Sequence, residues 1–510
     1  MSSITELFFE QVKKNPDKTA IWCDGKTKSY SELDTFVRQY INYLVRRNVK
    51  KGDIIGIPMN NSIESVALML ASAYIGAGLA PINPSLPKEA IDKAFATANV
   101  KHVIARKSFW KHFILNDSLD TYGCKLCLDD TIEGIDSFDI ISKMPADIPS
   151  IDDVSGDETW ILTMTSGSTG NPKPIDITQN NKIKRIKEHV KMYGVVEEDR
   201  VLAATPLYHS LAERLVIMPL LIGATSILLP RFTTKLWLDC VSEQKVTFTI
   251  AVSAQLGQIA QVLSSPYVPD IASFRAIVSS SALLESHVRK ELIEKLKCEF
   301  YEMYGTSEVS TATSINLKES VTKNKSVGRA ISCADICIID DNENRLPFDE
   351  VGEIAVKTDL IFNGYYMQPD MTKNAFTKEG YFKTGDLGRL DSDGYLYFCG
   401  RKKELIITGG INVYPNDIDS VIQKYEGVIE CAAFSYPDDR LGEVVAVAVV
   451  KDNKAVITER DIRVYCSRNL ADFQIPHHVF FVDELPKNAM GKLVRKDIFA
   501  MVSEVKDGRN

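Results

Sequence analysis

The segment Thr163-Met164-Thr165-Ser166-Gly167-Ser168-Thr169-Gly170-Asn171-Pro172-Lys173 is built for receiving phosphate. Gly167 and Gly170 let successive backbone N–H groups turn toward one point. Five hydroxyls (Thr163, Thr165, Ser166, Ser168, Thr169) can donate to phosphate oxygens, and Lys173 adds a positive charge. It is not a Walker A loop, because the G-x-x-x-x-G-K-[ST] spacing is missing. Gly76-Ala77-Gly78 is no dinucleotide fingerprint either, since Pro81 stands where the third glycine belongs. On composition alone the Gly/Ser/Thr run is equally an ordinary flexible loop. Cys124 and Cys127 form one C-x-x-C with no second pair at zinc spacing, which reads as plain thiols. The seven histidines show no ligand spacing.

The elements around that loop set its context. An apolar strand, Trp160 to Met164, leads into it. Residues 4–14 carry apolar positions at helical spacing (Ile4, Leu7, Phe8, Val12). A buried strand over 54–59, a helix over 63–75 and a loop with a short strand over 76–84 suggest a parallel-sheet unit. Further short strands fall at 103–105, 227–229 and 248–250, so the long middle is α/β. From Val327 to Phe398 short strands alternate with strong turn signals, Asp340 to Asn344 and Asp391 to Gly394, giving a small β-rich unit. The last hundred residues hold helices near 416–424 and 459–468 and strands near 432–434 and 444–450, enough for one small α+β domain.

The 510 residues are 45% hydrophobic and 25% charged, the balance of a chain that can bury several cores. A net charge of -8 argues against nucleic acid as the main partner. No run of about 18 apolar residues predicts a membrane span, and neither end reads as a targeting or lipidation signal. The expected location is cytoplasmic.

Beyond the loop, an ordered set of motifs resembles the adenylate-forming superfamily of acyl-CoA synthetases, luciferases and peptide-synthetase adenylation domains. Thr165 to Lys173 resembles its phosphate loop, and Gly76 to Pro84 its early Gly-Ala to Asn-Pro motif. Pro206-Leu207-Tyr208-His209-Ser210 resembles the motif at the acyl pocket, and Tyr304-Gly305-Thr306-Ser307-Glu308 the Tyr-Gly-x-Thr-Glu motif. Gly364-Tyr365-Tyr366, Thr384-Gly385-Asp386, Gly400 to Glu404 with Gly409-Gly410 and Pro415, and Pro486 to Arg495 follow in the family's order.

The resemblance implies an AMP-forming acid–thiol ligase using ATP, Mg²⁺ and a pantetheine thiol, with CoA ahead of a carrier protein's phosphopantetheine. It implies a large N-terminal domain (1–399) with α/β subdomains and a small β-rich subdomain, a hinge (400–404) and a small mobile α+β lid (405–510). Thr165, Ser166, Gly167, Ser168, Thr169, Gly170 and Lys173 would hold ATP phosphates. Ser281, Glu302, Met303, Tyr304, Gly305, Thr306 and Ser307 would line the nucleotide, with Tyr304 stacked on adenine. Asp386 and Arg401 would take the ribose, and Glu308 would help hold Mg²⁺. Lys492 would offset the charge of the transition state, Lys403 would be the hinge residue, and Gly409 and Gly410 would line the thiol's approach. His209 would border the acyl group. Glu308 has an alternative as a solvated loop charge, Asp386 as a turn cap, and His209 as a buried, hydrogen-bonded histidine.

Three departures stand out. Pro174 follows the loop lysine where many members have Gly, Ser280-Ser281-Ala282-Leu283 replaces Gly-Gly-Ala-Pro, and Ser307 replaces Thr. No Asp follows Tyr208-His209-Ser210-Leu211 to hold an amino group, which favours a fatty, aryl or other simple carboxylic acid. His209 to Arg214 resembles a His-x-x-x-Glu-Arg pattern of long-chain synthetases, although Glu213-Arg214 is equally a surface ion pair. A luciferase-like adenylate oxidase is the other enzyme alternative.

Overall fold

The computed structural model describes residues 3–114, 121–151, 153–166, 172–263, 265, 269–323, 325–488 and 491–506. The chain forms two compact units, 1–321 with 357–376, and 322–356 with 377–510.

The first unit is α/β and carries two sheets. In one, the strand Arg200–Ala203 runs parallel to both Thr225–Leu228 and Phe248–Val252. Thr225–Leu228 pairs on with Thr19–Cys23, and Phe248–Val252 with Ala276–Ser280 and then Glu299–Thr306, all parallel. The hairpin partner Ser310–Asn316 is antiparallel. In the other sheet, Ile54–Pro58 pairs parallel with Gly78–Ile82 and His102–Ala105, and Gly78–Ile82 with Thr159–Ser166. These strands are short apolar runs because helices cover both faces of a parallel sheet. All five residues of Ile54–Pro58 are buried. At Gly56 a Cβ would fall 2.6 Å from the Phe95 ring, so only glycine fits under that side chain. The helix Ile63–Ile75 starts where the Ser62 hydroxyl accepts from Ser65 N and stops at Gly76, whose φ of 69° takes the left-handed cap.

Two helices depart from simple amphipathicity. Gln179–Tyr193 is polar in sequence, yet Lys182, Arg185 and His189 are fully buried at 0–1% exposure. Their i, i+3, i+7 spacing puts them on one face. Ser210–Ile222 is almost wholly buried, including Glu213 and Arg214. Glu213 meets Lys182 at 2.5 Å with both side chains inside the core, so these residues are no surface ion pair.

The second unit has a four-stranded sheet in the order Ala334–Ile339, Gly352–Thr358, Phe382–Leu390, Leu396–Arg401. A second sheet is centred on the long hairpin Val428–Asp438 and Gly442–Lys451. Alternate residues of this hairpin serve two cores. Cys431, Ala433, Val445, Val447 and Val449 pack toward the helices Pro415–Ile422 and Glu459–Asn469 through Ile418, Ile422, Ile462 and Cys466. Ala432, Phe434, Ala446 and Ala448 pack on the other face against Ile498 and Val502 of the last helix. Among the described residues no helix is long and apolar enough to cross a membrane.

Candidate active site

The strands Thr159–Ser166 and Pro172–Thr178 form an antiparallel hairpin, with Thr165 opposite Lys173 and Ser166 opposite Pro172. The expected phosphate loop therefore spans the connection between these two paired strands. Gly167, Ser168, Thr169 and Gly170 lie outside the described residues, as do the side chains of Thr165 and Ser166. Gly364–Tyr365 adds a further antiparallel strand, pairing with Ile175 and Asp176. Pro174 fits here because only its carbonyl is used, accepting from Tyr366 N at 2.9 Å. Lys173 Nζ sits 5.6 Å from the centre of the Tyr365 ring, in cation–π range.

The Tyr-Gly-Thr-Ser-Glu segment closes the strand Glu299–Thr306 and turns back into Ser310–Asn316. The ladder slips between Tyr304 and Gly305, and a Cβ on Gly305 would fall 1.8 Å from the Ser310 carbonyl. The turn then delivers Glu308, whose carboxylate Oε1 accepts from the Tyr365 hydroxyl at 3.0 Å. Glu308 is thus neither fully buried nor a free loop charge. Its main chain is pinned as well. The Glu308 carbonyl accepts from Phe362 N and from Arg185 Nη2, both at 2.8 Å, and the Ser307 carbonyl from Arg185 Nη1 at 3.1 Å. Sequence reasoning missed Arg185, because a cation in a lysine-rich helix ordinarily faces water.

The other expected nucleotide residues cluster along the same strand. Tyr304 is buried at 8% exposure. Met303 Sδ lies 3.3 Å from Thr311 Oγ1. The Glu302 side chain turns into the core, where it ion-pairs with Arg289 and accepts from Leu284 N at 3.3 Å. Burial pushes its carboxyl up to about 7, with Arg289 pulling the other way. This anchors the loop carrying Ser281, which holds a φ of 77°, the conformation glycine adopts freely. Thr306 Oγ1 accepts from Val309 N at 3.4 Å, closing the turn.

In the motif expected at the acyl pocket, His209 stands at the start of the helix Ser210–Ile222, with its ring 4.7 Å from that of Tyr208. Burial pushes the imidazole down to about 4. Its Nε2 is buried with no hydrogen-bond partner among the described residues, so it is not the satisfied core histidine of the alternative reading.

In the second unit, Asp386 lies opposite Arg401 in the register of Phe382–Leu390 and Leu396–Arg401, with Arg401 Nε 3.6 Å from its Oδ1. Gly385, at a φ of 71°, shapes the turn before it, and the Gly385 N–H is held by Glu353 Oε1 at 3.0 Å. The 3-10 turn Lys402–Glu404 is tied at both ends. Lys402 bonds Glu353 Oε2 at 2.9 Å, and Glu404 faces Arg495 at 3.3 Å, while Lys403 between them is exposed. Gly409 and Gly410, both at positive φ, form the two-residue turn between Ile406–Thr408 and Ile411–Val413. Lys492 is half-buried. Burial, with Arg401 beside it, pushes its ammonium down to about 8, while Asp386 and Glu404 oppose that shift. Among the described residues, no group of three or more His, Cys, Asp or Glu side chains is placed to hold a metal by itself.

The family described as AMP-binding enzyme matches residues 8–366, and the AMP-binding enzyme C-terminal domain matches 417–492. The long-chain-fatty-acid–CoA ligase FadD13 of Mycobacterium tuberculosis is 31% identical, over 92% of both chains. A 2-succinylbenzoate–CoA ligase of Geobacillus kaustophilus is 28% identical, over 98% of this chain and 99% of its own. ATP-bound MatB from Rhodopseudomonas palustris superposes with a TM-score of 0.87 at 28% identity, over 99% of each chain. The o-succinylbenzoate CoA synthetase of Bacillus subtilis, in complex with its acyl-adenylate, superposes at 0.84 with 25% identity, over 96% of this chain and 97% of its own. With a family match over well over half its residues and a relative this similar across nearly all of it, the chain belongs to the AMP-binding enzymes.

Proposed function

We propose that this enzyme activates a fatty, aryl or other simple carboxylic acid with ATP and passes the acyl group to the thiol of CoA. The observation that carries this reading is Tyr365, whose ring takes Lys173 from the phosphate-loop hairpin and whose hydroxyl takes the carboxylate of Glu308. A cation for phosphate and a hard anion for a cation on phosphate meet on one side chain.

A free carboxylate is a poor acyl donor, since it repels nucleophiles and its leaving group would be oxide. In the first step a carboxylate oxygen attacks the α-phosphorus of ATP in line. The bond to the bridging oxygen breaks, and pyrophosphate leaves with the electron pair. Catalysis of this step is positioning and charge stabilisation. Lys173 and the phosphate loop hold the outer phosphates. Asp386 accepts both ribose hydroxyls through its two carboxylate oxygens, beside Arg401. Lys492 offsets the charge that gathers on the attacking carboxylate and the α-phosphate. In the second step the thiol sulfur attacks the acyl carbon, AMP leaves, and the thiol proton is released. The lid of residues 405–510 turns about Lys403 between the steps.

Glu308 fits Mg²⁺. Its carboxylate makes no ion pair among the described residues, and one of its oxygens is held by a neutral hydroxyl. Mg²⁺ is commonly held by one or two carboxylates together with substrate phosphates rather than by an all-protein cage. When bound, the ion would draw negative charge off the leaving pyrophosphate.

The test is ATP–pyrophosphate exchange across a panel of carboxylic acids, followed by CoA or a carrier protein as acceptor. Exchange with at least one acid, lost on the order of 10²-fold or more in Glu308→Gln and Lys492→Ala, is expected. Full exchange in both variants, or turnover on a carrier protein with none on CoA, would overturn it.

A further inference from the structure

The helix that follows the phosphate-loop hairpin and the helix Ser210–Ile222 together bury more positive than negative charge. Lys182, Arg185 and Arg214 are all at least 95% buried, and Glu213 is the carboxylate set among them, 2.5 Å from Lys182. Arg185 spends none of its donors on a carboxylate. Its Nε donates to the Leu360 carbonyl at 2.8 Å, Nη1 to Ser307 at 3.1 Å and Nη2 to Glu308 at 2.8 Å. Burying a guanidinium costs several kcal/mol unless its donors are well satisfied. Here they are satisfied by main-chain oxygens of two segments far apart in sequence. One carries Glu308, and the other leads through Phe362 N, itself bonded to the Glu308 carbonyl, to Tyr365. A planar fork can hold three carbonyls in fixed geometry, and a lysine ammonium cannot reproduce that.

We propose that Arg185 is a positioning residue for Glu308: it fixes the backbone on which the magnesium-binding carboxylate and its Tyr365 partner are aligned. The inference rests on the reading of Glu308 given above. The rest of the buried cluster makes other contacts. His189 accepts from or donates to Thr311 Oγ1 at 2.9 Å, and Arg214 contacts His189 and Ser310 Oγ, at 2.9 and 3.3 Å. Neither Arg214 contact touches the carbonyls of Ser307 or Glu308. Arg214 therefore serves as a control for mere packing.

The experiment measures Mg²⁺ dependence of ATP–pyrophosphate exchange in Arg185→Lys, Arg185→Gln and Arg214→Lys, alongside thermal melting. Outer-shell changes at metal sites typically cost about 10–100-fold in metal affinity or activity. Arg185→Lys is expected to raise the half-saturating Mg²⁺ about tenfold and lower kcat with little change in the KM for the acid. Arg214→Lys is expected to lower the melting temperature and leave the Mg²⁺ response in place. In a cycle with Glu308→Gln the two changes are expected to couple rather than add. An unchanged Mg²⁺ response in both Arg185 variants, an equal shift in Arg214→Lys, or failure of both Arg185 variants to fold would overturn the proposal. If Glu308→Gln itself exchanges normally, it is the reading of Glu308 that falls.

Discussion

Nε of Arg495 lies 3.3 Å from Oε2 of Glu404, so the end of the last motif is ion-paired to the turn that follows Arg401. Arg495 also pairs with Asp419, bonds Asn416 Oδ1 at 2.8 Å and donates to the Ala433 carbonyl at 2.6 Å. Its side chain is only 9% exposed. Arg495→Met would leave Asp419 without its cation. Removing one partner of a largely buried pair is expected to cost on the order of 3 kcal/mol. Urea denaturation followed by far-UV circular dichroism reads this directly. A loss within the noise of a surface substitution would mean the pair carries little.

If Lys492 acts as proposed, adenylation depends on pH through its ammonium. Its ammonium is pushed down to about 8 by burial and by Arg401, so the charged form fades as pH rises through that value. The kcat/KM for adenylation is expected to fall about tenfold per pH unit above it. Lys492→Arg, whose guanidinium stays charged, should lose that alkaline limb even if its rate is lower. For stability the sign is opposite. Between a pH of about 8 and 10.5 the unfolded chain holds the proton that the native state has released, so this group makes stability rise with pH. A flat wild-type rate profile from a pH of about 7 to 10 would remove Lys492 from the chemistry.

Lys403 is the exposed middle residue of a 3-10 turn whose neighbours are both tied down. Lys403→Pro would fix φ at that one position. Adenylation is expected to survive, while transfer to CoA falls by at least about tenfold, as for a hinge that can no longer turn. Single-turnover assays of the two half-reactions separate these outcomes. Equal loss in both would show that the turn is not the pivot.

Among the described glycines near the site, Gly305 has the least room. Gly305→Ala would drive a methyl into the Ser310 carbonyl and unseat the turn that presents Glu308. A destabilisation of about 3 kcal/mol or more is expected, with loss of exchange activity. A stable, active alanine variant would show that the ladder can shift to make space.

Much of the fold was legible because its boundary signals are local. The Ser62 cap and the Gly76 stop bracket the helix Ile63–Ile75, and the unbroken apolar runs 431–434 and 444–449 mark strands buried on both faces. The strand Pro172–Thr178 was not legible, since two prolines argue against a ladder that only the hairpin's pairing supplies. The site divides the same way. Glu308, Asp386, Arg401 and Lys492 were singled out as candidates by motif order alone. Arg185 was not, because Leu360 lies 175 residues away and a helix period cannot say which cation faces inward.

One pairing bears on how the polypeptide is made. Ile21 lies beside Ser226 in a parallel ladder, so the strand Thr19–Cys23 leaves the ribosome long before that neighbour exists. At about 5–20 residues per second the gap is roughly 10–40 s. Through that interval one edge of this apolar strand waits without its neighbour, which makes slow synthesis, low temperature and chaperone supply the natural levers on the yield of folded enzyme.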